Sequence, residues 1–144
     1  MRRLALLPLA LLVFALTGCG GDGNGEEEGE GNGEVQAACT GSALADAPNL
    51  PAGFPSFDSV TYTEQKTQGP TQVIEGYYEG ELEDAYDEVK SSLEDAGYTI
   101  LFDELEEDDS EVSWKGQGRS GQVGLRMECG DEDRVYVRIS NRPA

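Results

Sequence analysis

The sequence has no histidine and only three cysteines, one tryptophan and ten Lys+Arg against 29 Asp+Glu. Without histidine the usual general base is missing, and with it the Ser-His-Asp arrangement and imidazole metal ligation. The shortage of cations gives a formal net charge of −19. That balance opposes binding to nucleic-acid phosphates or to an anionic bilayer surface. The 29 acids make carboxylate pairs a matter of chance, so a glycosidase reading has no support in spacing. No enzyme activity, cofactor or metal is expected. Charge is also uneven along the chain. Between Gly20 and Trp114 the cations are Lys66 and Lys90, set among most of the acids. From Lys115 onward Arg119, Arg126, Arg134, Arg138 and Arg142 make the last part locally basic.

Long apolar runs are scarce as well, and the one present is at the start. After Met1-Arg2-Arg3, the stretch Leu4 to Leu16 is uncharged and too short to span a bilayer. It closes on Leu16-Thr17-Gly18-Cys19. A basic start, an apolar segment and a Leu-small-Gly-Cys ending resemble the lipobox leader of bacterial lipoproteins. That resemblance implies a leader at 1–18, cleaved by the lipoprotein signal peptidase, and a diacylglyceryl thioether on Cys19, with acylation of the new amino terminus. It places the chain outside the cytoplasm, anchored to the outer face of the cell membrane, or to the outer membrane where there are two. Two or more acyl chains suffice for stable anchoring. If Cys19 is lipidated, Cys39 and Cys129 are left as the pair able to form a disulfide in an oxidising compartment. A bond closing so long a loop is worth roughly 4 to 5 kcal/mol on the chain-entropy account.

Cys19 and the stretch to residue 36 form the expected tether. Gly20 to Glu34 consists of Gly, Glu, Asp and Asn, offers nothing to bury, and reads as disordered. Asp22, Asn24 and Glu26 have the first spacings of an EF-hand loop, but Glu27 and Gly33 stand where that motif needs Gly and Glu. Residues 37–144 form the expected domain. Its opening segment, as far as Phe57, holds Pro48, Pro51 and Pro55 and reads as an extended arm whose aromatics cover core.

Val60–Thr67 and Thr71–Tyr78, joined by Gly69-Pro70, read as a β-hairpin. Leu82, Ala85, Tyr86, Val89, Leu93 and Ala96 define one face of a helix that Gly97 ends. Thr99–Leu105 is a strand, followed by the acidic turn Glu106–Ser110. Glu111–Gln117, Gln122–Cys129 and Arg134–Ser140 alternate as the last three strands, with a flexible glycine-rich loop at Gly116–Gly121. The expected fold is a single α+β domain of order ββαβββ, an antiparallel sheet with one helix on one face. Cys129 closes a core-facing row with Val123, Leu125 and Met127.

The opposite face of the sheet should carry Ser113, Lys115, Arg126, Glu128, Tyr136 and Arg138. Lys115, Arg126, Tyr136 and Arg138 are its candidate interaction residues, suited to an acidic or carbohydrate partner. The expected function is a lipid-anchored, non-enzymatic binding module for an envelope protein or polymer. The alternative is a binder of a small ligand or cation through the acidic or glycine-rich loops.

Overall fold

The structure, a computed structural model, describes residues 30–130 and 133–144, with side chains from residue 33. The leader, Cys19 and the tether up to residue 29 lie outside the described residues. The elements are α1 (Glu30–Thr40), β1 (Val60–Gln68), β2 (Thr71–Glu79), α2 (Leu82–Asp95), β3 (Thr99–Leu105), β4 (Asp109–Gly116), β5 (Arg119–Arg126) and β6 (Arg134–Pro143). The fold is α+β, as expected. Four strands follow α2, at the four segments read as strands in the sequence, one more than the order ββαβββ counts.

All six strands form one antiparallel sheet in the order β1-β2-β6-β5-β4-β3. The chain's last strand therefore sits inside the sheet, between β2 and β5. Its alternation has a physical reason: Val135, Val137 and Ile139 pair across with Tyr78, Gly76 and Ile74 on one side and with Leu125 and Val123 on the other. These residues make the face on which α2 lies. Leu82, Ala85, Val89 and Leu93 of α2 are buried there, at the helical spacing read from the sequence. Gly97 ends the helix at φ 81°. Its N–H bonds to Glu94 O and the Tyr98 N–H to Leu93 O, which satisfies two of the last carbonyls in a Schellman arrangement.

The proline-rich arm contributes its aromatics to this core. Phe54 and Phe57 are buried, and the Phe54 ring lies 4.9 Å from that of Trp114, centroid to centroid, with Tyr98 at 5.5 Å. The expected flexible loop at Gly116–Gly121 is instead a two-residue turn. Gln117 (φ 51°) and Gly118 (φ 74°) both adopt the left-handed conformation that a tight hairpin requires, so β5 begins at Arg119. Gly121 then makes close approach possible: a Cβ there would stand 2.0 Å from Ser140 O and 2.6 Å from the Trp114 ring.

The start of the domain differs most from expectation. The chain is helical over Glu30–Thr40, inside the stretch expected to be tether and extended arm. Val35, Ala38 and Cys39 recur at i, i+3 and i+4 and are buried, and this short stripe is what docks α1. It docks on the face opposite α2, so the sheet carries a helix on each side.

Gly121 and Gly124 lie in the same strand and provide an internal comparison. Gly124 has nothing within 4 Å of a Cβ, whereas Gly121 has backbone. Gly121→Ala should lower stability by more than about 2 kcal/mol, as overpacking of a tight site does. Gly124→Ala should change it by less than about 1 kcal/mol, and toward stabilisation. Urea unfolding of the two variants checks both; similar losses at the two positions would contradict the packing described.

Candidate functional site

The second face of the sheet is divided in two. Over β1, β2 and the first part of β6, around Arg134 and Tyr136, it is covered by α1; over the rest of β6 and over β5, β4 and β3 it is open.

The covered half is held by a disulfide and a set of polar contacts. The Sγ atoms of Cys39 and Cys129 are bonded at 2.02 Å, 90 residues apart in sequence. Cys129 does not close a core-facing row on the α2 side. Strand β5 ends at Arg126, the chain turns with the Met127 N–H on Asp108 O and Gly130 at φ 71°, and the strict alternation stops there. Cys129 accordingly packs with Val35, Ala38 and Tyr136 on the α1 side. Around the bond, Gln36 Nε2 donates to Glu128 O (3.1 Å), and Thr63 Oγ1 donates to Ala38 O (2.9 Å). Arg134 Nη1 donates to Cys39 O (3.0 Å), placing a cation at the helix C-terminus, where the dipole favours it. The same guanidinium stacks 4.4 Å from the centre of the Tyr77 ring.

Beneath α1 lies a carboxylate that sequence reading did not single out. Glu75 is 2% exposed. Its Oε1 accepts from Tyr136 OH (2.9 Å) and lies 3.3 Å from Arg138 Nε, while its Oε2 lies 3.2 Å from Lys66 Nζ. A charge so buried is tolerable because cations and a hydroxyl surround it. Burial, reinforced by the hydrogen bond to Glu75, pushes the Tyr136 phenol well above its ordinary value. Lys66 also reaches Glu34 of α1 at 3.0 Å. Burial pulls its ammonium down, but the hydrogen bonds to Glu34 and Glu75 outweigh that and leave it raised.

The four candidate residues therefore part company. Lys115, Arg126, Tyr136 and Arg138 all lie on the face away from α2, as alternation requires. Tyr136, however, is 4% exposed under α1 and is corrected from a contact residue to a structural one. Arg126, exposed and 3.9 Å from Glu128, and Arg138, half-exposed against Glu75, flank Gly124. Lys115 pairs with Ser120, six residues along β5 from Arg126, so the two are about 20 Å apart. There Lys115 has Arg142 as its neighbour across Ser120.

The open half is thus a polar floor between two pairs of cations. Ser113, Gln122 and Ser140 form one cross-strand row of that floor. A shallow depression of about 380 Å³ lies over this row toward Leu101 and Arg142, and a smaller one of about 90 Å³ over Gly124 between Arg126 and Arg138. Hydroxyls, one side-chain amide and guanidinium groups suit binding of a polar or anionic surface. The tight Gln117-Gly118 turn presents no glycine-rich cradle. The acidic turn after β3 is exposed, and Glu104 and Asp109 beside Glu106 push its carboxyl up. Two side chains on the open side went unnoticed in sequence, Leu101 and Phe102, which are about half exposed beside a β-bulge. A bulge breaks strict alternation, so no periodic signal marks them.

Set against known proteins, the chain matches no family model, no curated protein and no solved structure.

The covered half supplies a direct test. Cys129→Ser, or reduction in mild denaturant, should lower stability by roughly 2 to 5 kcal/mol, as loss of a long-loop crosslink does. The loss should be read first in α1, as faster amide exchange at Ala38 and Cys39 than in β6. Unchanged exchange in α1 after reduction would show that the helix docks without the crosslink.

Proposed function

We propose that the chain is a lipid-anchored extracytoplasmic module that binds an envelope protein or polymer, without catalysis, through the open half of the second sheet face. Membrane attachment rests on the resemblance of Leu16-Thr17-Gly18-Cys19 to a lipobox. The observation that carries the binding reading is the gathering of Arg126, Arg138, Lys115 and Arg142 on one shallow polar face of a chain whose net charge is −19. Arg126 and Arg138 each have one acid nearby, Glu128 and Glu75, and stay about half exposed. Lys115 and Arg142 make no ion pair among the described residues. The cations left facing solvent favour an anionic partner. The shallowness of the depressions favours a broad surface contact over an enclosed small ligand.

Two measurements test this. Cys19→Ala should move the protein from the membrane to the soluble fraction without altering its melting temperature; retention after a high-salt wash would refute the anchor. A photo-crosslinker at Gln122 in intact cells should give one discrete adduct. Arg126→Glu with Lys115→Glu should reduce it about tenfold or more, equivalent to roughly 1.4 kcal/mol of lost affinity. An adduct insensitive to those changes and to salt would place the contact elsewhere.

A further inference from the structure

The sheet has two edges, β1 and β3, and they are finished differently. At β1 the arm lies alongside: the Leu44 N–H donates to Tyr62 O (2.8 Å) and the Asn49 N–H to Gln65 Oε1 (2.9 Å). A bulge between Tyr62 and Glu64 and the lysine at position 66 further blunt that edge. β3 has no proline, no lysine and a strand partner on one side alone, β4. Among the described residues, the exposed large hydrophobic side chains all belong to it: Leu101 (56%), Phe102 (50%) and Leu105 (41%).

The hydrogen-bond phase of β3 follows from its hairpin. The Glu106 N–H bonds to Asp109 O at 2.8 Å, so Glu106 and Asp109 are a hydrogen-bonded pair. Alternation then makes Leu105↔Ser110 and Asp103↔Val112 non-hydrogen-bonded pairs. Asp103 and Leu105 consequently direct their backbone N–H and C=O groups to the open side. An unpaired backbone row flanked by exposed apolar side chains is the template for strand addition.

We propose that β3 is a docking edge that takes up an extended, basic and apolar segment of another protein as a seventh strand. Leu101 and Phe102 on one face and Leu105 on the other would pack against apolar side chains of the added strand. Charge selects the partner. Asp103 is already paired with Lys90, but Glu104 lies in β3 and Glu106, Glu107, Asp108 and Asp109 follow. A depression of about 350 Å³ at the end of the strand is lined by Leu82 and Leu105 and by Glu83, Asp84, Glu106 and Glu107. It suits a Lys or Arg whose aliphatic stem lies on the leucines while its cation meets the acids. The like-charge repulsion at Glu106 is relieved by the same cation. A second copy is a poor occupant, because two chains of net charge −19 would bring identical acidic turns to one interface. This contact uses main-chain groups of β3 and depends neither on the lipid anchor nor on the arginine face.

The test is amide exchange, read by NMR on the intact chain, with two capped octapeptides as probes. One alternates valine and lysine; the other has glutamate for lysine. Exchange at Asp103 and Leu105 should slow about tenfold or more with the lysine peptide and not with the glutamate peptide. Leu101→Lys with Phe102→Lys should abolish the slowing, and since both positions are exposed the melting temperature should hold. A Thr67→Ala variant, altered at an exposed position of β1 at the far edge of the sheet, should keep the slowing. Three results would overturn the proposal: slowing confined to β1, slowing that also occurs with the glutamate peptide, or a concentration-dependent doubling of mass that the lysine variant removes.

Discussion

The crosslink between Cys39 and Cys129 is the constraint on which the rest of this structure depends. An eleven-residue helix containing Gly31 and Gly33 has little tendency to form alone in water. Tied at Cys39, with Val35 and Ala38 buried in register, α1 becomes a lid over β2 and β6. Its placement makes a burial site for Glu75, which would otherwise be a charged residue on an open strand, and it takes Tyr136 out of solvent. The same placement leaves Arg138 half-exposed at the boundary, one side on Glu75 and the other toward the open face. One covalent bond thus decides which half of the sheet remains for function.

What was legible in sequence follows from periodicity. α2 was readable because six apolar residues keep helical spacing over four turns and Gly97 supplies the left-handed stop. β6 and β5 were readable because Val135, Val137 and Ile139 alternate, as do Val123 and Leu125, and Arg126 and Arg138 fall on the other face for the same reason. α1 was not readable: its stripe is three residues long and is preceded by Gly, Glu and Asn, a composition that signals coil. Tertiary docking and the disulfide overrode that local preference. Alternation continued beyond Arg126 puts Cys129 on the α2 side, whereas the turn there breaks the alternation and Cys129 faces α1. Alternation puts Lys115 on the face it occupies and says nothing of its distance from Arg126, since alternation fixes sides and register fixes neighbours. The strand order, with the last strand inserted between β2 and β5, could not be had from local pattern at all.

Charge segregation links the fold to the binding reading. Acids concentrate on α2, β3 and the turn after it, while Arg126, Arg138 and Arg142 of β5 and β6 face the other way across the open half of the sheet. Lys90 and Asp103 join α2 to β3 at 2.6 Å with Tyr86 also on Asp103, so that the acidic region is itself braced. Hydrogen bonds from Lys90 and Tyr86 hold the Asp103 carboxyl below its usual range. The molecule therefore presents a basic, polar face and an acidic, apolar edge close to each other, and these two surfaces call for chemically opposite contacts.

The most direct measurement of this account is the contact between α1 and the sheet in the oxidised protein. Nuclear Overhauser effects should connect the methyl groups of Val35 and Ala38 to the ring protons of Tyr136 and Tyr77, with the Tyr136 ring shielded from a soluble relaxation agent. Absence of those cross-peaks, together with a Tyr136 ring relaxed as strongly as an exposed side chain, would contradict the division of the face into a covered and an open half.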